Sequence, residues 1–250
     1  ILVTFAIENE FAPWRRIRDF RRAAMTQPSI YEARIGSADV RVVLTGIGAQ
    51  HARRAFQVAL AEGASVCIST GLAGALQLRH RIGDVVVARA VHSAGAEALV
   101  KSDTKLRRAA TLCGAREVNA FLSADRAVLT AKEKGRLAFS ADAVEMESYA
   151  ILCEAQSHHI PAVAVRAIGD TATQDLPLDF NRTVGAKGQI SIPRVFGQLA
   201  RNPRRLPGLV RLSRDTQRAA TSLASFLDLF VEALATGRLN VGAHEMVAVG

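Results

Sequence analysis

Pro161-Ala-Val-Ala-Val-Arg-Ala-Ile168, closed by Gly169-Asp170, is the stretch whose reading decides the fold. It is apolar almost without interruption and short, with valines and an isoleucine set among alanines. A strand with one wet face alternates apolar and polar residues. This one does not, so it belongs in the middle of a sheet covered on both faces. Working outward, Met146, Tyr149, Ala150 and Cys153 mark one face of a helix continuing towards His158. Before it, Val118 to Leu122 reads as a strand, Lys105 to Cys113 as a helix, and Asp84 to Ala90 as a strand beyond a Gly71-Leu-Ala-Gly74 turn. Ser65 to Ser69 is a further buried strand. Gly63 ends the helix before it, whose apolar positions Ala52, Ala55, Phe56, Ala59 and Leu60 repeat at helical spacing. Tyr31 to Ile35 and Val40 to Leu44 read as paired strands around Gly36-Ser-Ala-Asp39. At the start, Ile1 to Ile7 is a buried strand leading into a helix from Glu8 to Phe20, with Pro13 tolerable only near its beginning. The alternation predicts a three-layer α/β/α sandwich around a central mixed, largely parallel sheet.

The 250 residues are expected to form one domain over 1–235, followed by a loose tail over 236–250. A basic, proline-punctuated insertion occupies about 176–213, and a long helix runs from about Arg214 to Leu234. Hydrophobic residues make up 49% and charged ones 22%, the balance of a chain that buries a core. No apolar run is long enough to span a bilayer, and no signal-peptide pattern is visible. Cys67, Cys113 and Cys153 are too few and too scattered for a disulfide framework or a zinc cluster, and fit a reducing cytoplasm. The histidines at 51, 80, 92, 158 and 159 show no metal-ligand spacing, so no metal is expected.

The formal charge is +9, and its excess is concentrated near the C-terminus in Arg182, Lys187, Arg194, Arg201, Arg204, Arg205, Arg211, Arg214 and Arg218. A solvated helical face and peripheral contact with an anionic inner membrane surface both accommodate such a segment. Nucleic acid ranks last, because no zinc finger or RNP pattern accompanies the charge, and none is expected as a partner.

In sheets of this kind, ligands sit beyond the carboxyl ends of the strands. Three acidic groups fall at such ends: Glu8 with Glu10, Glu145 with Glu147, and Asp170. Each has a plain structural explanation of its own. Asp170 in Asp-Thr-Ala-Thr can cap a turn, and glutamates are common at helix starts. Gly46-Ile-Gly48 before a helix is a weak phosphate-loop signal that close packing at a turn explains equally well. Their convergence carries more weight than any one of them.

Six segments in order resemble the nucleoside phosphorylase and nucleosidase superfamily, with most similarity to its methylthioadenosine/S-adenosylhomocysteine nucleosidase branch. They are Ala6-Ile-Glu-Asn-Glu10, Thr45-Gly-Ile-Gly48, Ser69-Thr-Gly-Leu-Ala-Gly74, Ile82-Gly-Asp-Val-Val-Val87, Ala143-Val-Glu-Met-Glu147 and Val165-Arg-Ala-Ile-Gly-Asp170. The resemblance implies cleavage of the N-glycosidic bond of a purine nucleoside, with adenine as the expected base. It implies Asp170 as the acid at purine N7, Glu10 as the group that orients or deprotonates the nucleophile, and Arg166 beside that nucleophile. Glu147 would bind the ribose diol and Met146 line the ribose face. Ala127 and Val128 would sit near the base, with Gly71 and Gly48 in the loops around the sugar. No cofactor is implied beyond phosphate as a co-substrate, and a homo-oligomer is expected.

The pattern departs from the nucleosidases at three places. Gly169 replaces a serine that helps place the aspartate, Leu72 replaces a small hydroxyl residue, and Ala127 replaces an aromatic that stacks on adenine. Ser69 and Thr70 stand where many phosphorylases hold phosphate with an arginine, which leans towards water. Asp175-Leu-Pro-Leu-Asp-Phe-Asn181 and the basic segment after it are similar to the hopanoid-associated phosphorylases. That likeness implies phosphorolysis and a lipid-linked nucleoside, adenosylhopane, rather than a small one. Hydrolysis and a catalytically silent nucleoside-binding protein remain the alternatives.

Overall fold

A computed structural model describes residues 1–23, 27–93, 98–185 and 188–237. Lys187 and most of the expected tail lie outside the described residues. The chain begins with strand β1 (Leu2–Phe5), helix α1 (Glu8–Ile17), the short β2 (Arg21–Arg22) and the hairpin β3 (Ser29–Ile35) and β4 (Ala38–Leu44). Next come α2 (Ala49–Leu60), β5 (Cys67–Ser69), β6 (Leu72–Ala75), β7 (Val85–Ser93), β8 (Val100–Lys101), α3 (Thr104–Leu112) and β9 (Arg116–Ser123). The second half holds α4 (Ala131–Leu137), β10 (Ala143–Glu145), α5 (Ser148–Ser157), β11 (Ala162–Asp170), α6 (Ile192–Arg201) and α7 (Leu206–Ala235).

The strands form a mixed sheet in the order β2-β3-β4-β1-β5-β11-β6-β10-β9-β7-β8. Strand β11 is its hub. Its first half runs parallel to β5 (Ala162↔Cys67) and its second half parallel to β6 (Ala167↔Leu72), while Val165 pairs with Val87 of β7 in antiparallel sense. Because β6, β10, β9 and β7 are themselves paired in sequence, that last contact closes five strands into a ring at one end of the sheet. Eight of the nine residues of β11 are buried, as its unbroken apolar reading predicts.

The two faces carry separate cores. On one, α1, α3 and α7 bury Phe11, Trp14, Leu106, Leu223, Leu227 and Phe230 against the strands. On the other, α2 and α5 bury Ala52, Phe56, Ile151 and Leu152. Each such large side chain removed from water contributes about 1.5–3 kcal/mol, so both helical layers are held chiefly by their apolar stripes. Arg18 at the end of α1 ties the first layer together, pairing with Asp228 at 2.5 Å and Glu232 at 2.8 Å on α7.

Four local features differ from the sequence reading. The Gly71–Gly74 segment is mostly strand, because Leu72–Ala75 finds partners in both β10 and β11. Pro13 lies inside α1 and is buried there, since the layer packed over the helix outweighs one missing hydrogen bond. Helix α7 starts at Leu206 rather than near Arg214, with Pro207 in the first turn, where a missing N–H costs nothing. Helix α6 lies within the basic, proline-punctuated insertion, where the sequence reading placed no helix.

Candidate active site

Asp170 ends β11 at an irregular step in the β11–β6 ladder, where Ile168 faces Ala73 but Asp170 faces Gly74. A Cβ on Gly74 would sit 3.0 Å from Asp170 Oδ2, so the carboxylate occupies space that only a glycine leaves. A Cβ on Gly169 would meet nothing closer than Leu72 at 3.5 Å, so packing alone does not exclude a serine there. The partner of Asp170 is a residue that the sequence reading missed. Lys134 of α4 is completely buried and pairs with Oδ2, and its ammonium also donates to Thr171 O at 2.8 Å and Gln174 O at 3.0 Å. Burial pushes the Asp170 carboxyl above its ordinary range, Lys134 pulls against it, and the balance stays raised.

A signal for α4 was present. Thr130-Ala-Lys-Glu133 is a capping-box pattern, and Thr130 Oγ1 accepts from the Glu133 amide at 3.2 Å. Nothing in that pattern marks Lys134 as buried, because a lysine on a short polar helix reads as solvated.

The other carboxylates gather around Arg166. This arginine is 1% exposed and donates to Glu145 at 2.6 Å, with Ser69 Oγ at 3.4 Å and Glu147 at 3.9 Å. Glu145 also accepts from Ser123 and from the amides of Glu147 (2.9 Å) and Ser148 (2.8 Å). Burial works to raise its carboxyl, but Arg166, Ser123 and the two amides outweigh it and hold the group below the usual range. Glu145 is thus the fixed counter-charge of Arg166, a role no sequence signal assigned.

Among the described residues Glu147 accepts one hydrogen bond, from the Gly48 amide at 2.8 Å. Burial and then the Glu145 charge push its carboxyl up to about 8, against the pull of Arg166 and the Gly48 amide. It is an acceptor short of donors, the condition in which a diol that donates twice is welcome. Glu10 is held at its site by the amides of Ala6 (3.1 Å) and Leu72 (3.0 Å). Burial raises it most, offset in part by the Leu72 amide and Arg166. Gly71, at φ 143°, lies against this carboxylate, since a Cβ would meet both Glu10 oxygens at 3.0–3.1 Å.

A cavity of about 180 Å³ joins the two halves, lined by Ala127, Val128, Met146, Glu147 and Asp170 among others. Glu10, Gly48, Gly71 and Arg166 are not in its wall, and reach it through Leu72 and Glu147. Leu176, from the segment after β11, and Thr216 of α7 also line it. The Ala127 loop is pinned from the C-terminal side. Asn181 accepts from the Ala127 amide at 2.7 Å and donates to its carbonyl at 3.0 Å, while Asp175 accepts from the Ala131 amide at 2.7 Å.

A family model described as the Phosphorylase superfamily matches residues 3–196. The chain belongs to the phosphorylase superfamily. Among solved structures it is similar to the 5'-methylthioadenosine/S-adenosylhomocysteine nucleosidase of Neisseria meningitidis in complex with methylthio-immucillin-A. The TM-score is 0.72 at 22% identity, covering 93% of this chain and 98% of that one. It is also similar to an S-adenosylhomocysteine nucleosidase of Streptococcus pyogenes, with a TM-score of 0.71, 21% identity and coverage of 93% and 96%. Futalosine hydrolase of Helicobacter pylori follows at 0.67, 19% identity and coverage of 91% and 96%. At such identities the likeness fixes the superfamily fold, including the mixed sheet and its helical layers, and leaves the chemistry to the residues of the site.

Proposed function

We propose that the chain cleaves the N-glycosidic bond of a purine nucleoside, releasing adenine, with water as the nucleophile. The observation that carries this reading is one small cavity bounded by the raised acid Asp170 at one end and the under-satisfied acceptor Glu147 at the other. A purine held against Ala127 and Val128 takes a proton at N7 from Asp170 as the C1′–N9 bond breaks and its electron pair leaves with the base. Glu147 accepts from the ribose hydroxyls while positive charge grows on the sugar, and Met146 lies beneath the ring. The water oxygen bonds to C1′ and its proton passes to Glu10, whose raised carboxyl suits a base. Arg166 is neutralised by the buried Glu145 at 2.6 Å, which speaks against its holding a phosphate dianion.

Phosphorolysis is favoured by a different observation. Among the described residues the Arg166 Nε and Thr70 Oγ1 atoms are buried without a hydrogen-bond partner, and each is a donor of the kind a phosphate oxygen takes up. The likeness of the 175–181 segment to hopanoid-associated phosphorylases points to adenosylhopane as the substrate in hopanoid biosynthesis. A second cavity of about 740 Å³ has a mixed wall, with Ile7, Val58 and Ile192 beside Glu8, His51 and Arg54. Its apolar part supports a bulky 5′ substituent, since Ile7 and Gly46 in its wall flank the Glu10 and Gly48 loops.

Adenine release from 5′-methylthioadenosine and then from the lipid nucleoside, followed by chromatography with and without phosphate, tests the reading. Free ribosyl sugar in plain buffer is the expected product. A strict phosphate requirement with a ribose-1-phosphate product overturns the choice of water. Tight ligand binding with no release from either substrate makes the chain a binding protein.

A further inference from the structure

The strongest feature outside the site is the surface made by α6 and the start of α7. Between residues 180 and 214 the sequence holds eight basic side chains and no acidic one. Arg201, Arg204 and Arg205 have no carboxylate within ion-pair distance among the described residues, and all three are exposed.

The same segment exposes large apolar groups. Ile192 and Phe196, four apart on α6 and so on one side of it, are 60% and 66% exposed. Leu206 and Val210, four apart on α7, are 52% and 43% exposed. No residue of α6 is buried, although Gln198 fastens the helix to the body by a pair of hydrogen bonds with the Asp179 backbone, at 3.0 and 2.9 Å. Arg194 fastens it as well, its guanidinium donating to Val184 O at 2.8 Å. A helix with no buried residue, held by such polar ties, carries its isoleucine and phenylalanine in water with arginines beside them and is built to meet something apolar edged by negative charge.

We propose that α6 and the first turns of α7 dock on the surface of an anionic lipid bilayer. Phe196, Ile192, Leu206 and Val210 enter the boundary between headgroups and acyl chains, and the arginines hold lipid phosphates. No helix among the described residues is long and apolar enough to cross a membrane, so this contact is with one face of the bilayer. Charge complementarity argues against the other occupants. A second copy of the chain docked through this face would bring two sets of unpaired arginines together. A nucleic acid would use the arginines and Phe196 but has no use for the aliphatic Ile192, Leu206 and Val210 exposed with them. Ile192 also lines the larger cavity, so a docked bilayer would lie at its edge. The proposal stands whatever reaction the site performs.

Flotation of the full chain with vesicles tests it. With vesicles of phosphatidylcholine containing about 30% phosphatidylglycerol, at about 0.1 M salt, the protein is expected to float, and with pure phosphatidylcholine to stay behind. The double variant Phe196→Asp, Leu206→Asp is expected to lower the bound fraction about tenfold, and Arg201→Glu with Arg204→Glu to do the same. All four residues are exposed, and an unchanged thermal melt with unchanged adenine release confirms that the fold and site are intact. Failure of the parent to float with the anionic vesicles overturns the proposal. So does equal flotation by the aspartate variant, which would leave charge alone as the cause. A change of oligomeric mass in that variant without a change in flotation would assign the face to a second copy. Duplex DNA binding tighter than vesicle binding and indifferent to Phe196→Asp would assign it to nucleic acid.

Discussion

Asp170 shows how one neighbour changes what a substitution means. Its carboxyl is the proposed proton donor, and its only charged partner among the described residues is the buried ammonium of Lys134. Asp170→Asn keeps the shape and removes the proton, and adenine release is expected to fall about 10²- to 10⁴-fold, the usual worth of a placed general acid. The same change leaves Lys134 buried without a counter-charge, so the melting temperature falls as well. Adding Lys134→Met to Asp170→Asn is expected to restore part of the melting temperature and none of the activity. Steady-state release and a thermal melt on the three proteins measure both effects. Recovery of activity in the double variant would show that Asp170 serves the fold rather than the reaction.

At the scale of elements, the proposed base-binding loop after β9 is not self-supporting. Its Ala127 lacks the aromatic ring that resemblance led one to expect, and both backbone groups of Ala127 are engaged by Asn181 from the segment after β11. Leu176 of that segment lies in the cavity wall, and its amide donates to Leu129 O at 2.8 Å. The wall of the pocket is therefore set by a chain segment about fifty residues away in sequence. Asn181→Ala removes two neutral hydrogen bonds at an exposed position, and KM for the nucleoside is expected to rise about tenfold with kcat little changed. An unchanged KM would show that the loop holds its shape alone.

For the whole molecule, the site is a stability burden. Glu147, Glu10 and Asp170 all have carboxyls raised by burial. A carboxyl raised in the folded state binds more protons there than in the unfolded chain. Its contribution to stability is complete below the unfolded value and is lost as pH rises through the folded one. For Glu147 that window runs from its ordinary 4.5 to about 8. Glu147→Gln cannot ionise and keeps an oxygen for the Gly48 amide. Its melting temperature is expected to match that of the parent near pH 4.5 and to exceed it by about 2–6 °C near pH 8, as one or two kcal/mol would give in a chain of this size. Melting both proteins across that range checks the sign, and a variant that loses ground as pH rises would remove the penalty assigned to Glu147.

Strand and helix order were legible because apolar periodicity is a local property. The unbroken run in β11, the paired strands β3 and β4, and the stripes of α2 and α7 each announce themselves within a dozen residues. The acidic residues at strand ends were legible for the same reason, as were the six motifs that pointed to the superfamily. What the sequence could not carry is the partner of each charge. Lys134 meets Asp170, Glu145 holds Arg166, and Asn181 grips Ala127 across separations of about 20 to 55 residues. Nor does local pattern show that β11 bridges β5, β6 and β7 and so closes a ring, which makes a strand of the expected Gly71 turn. The sequence by itself determined which segments must be buried and which polar groups stand at their ends. The tertiary structure alone decided which of those groups face one another, because burial is written in neighbouring residues and electrostatic pairing is settled only when distant segments meet.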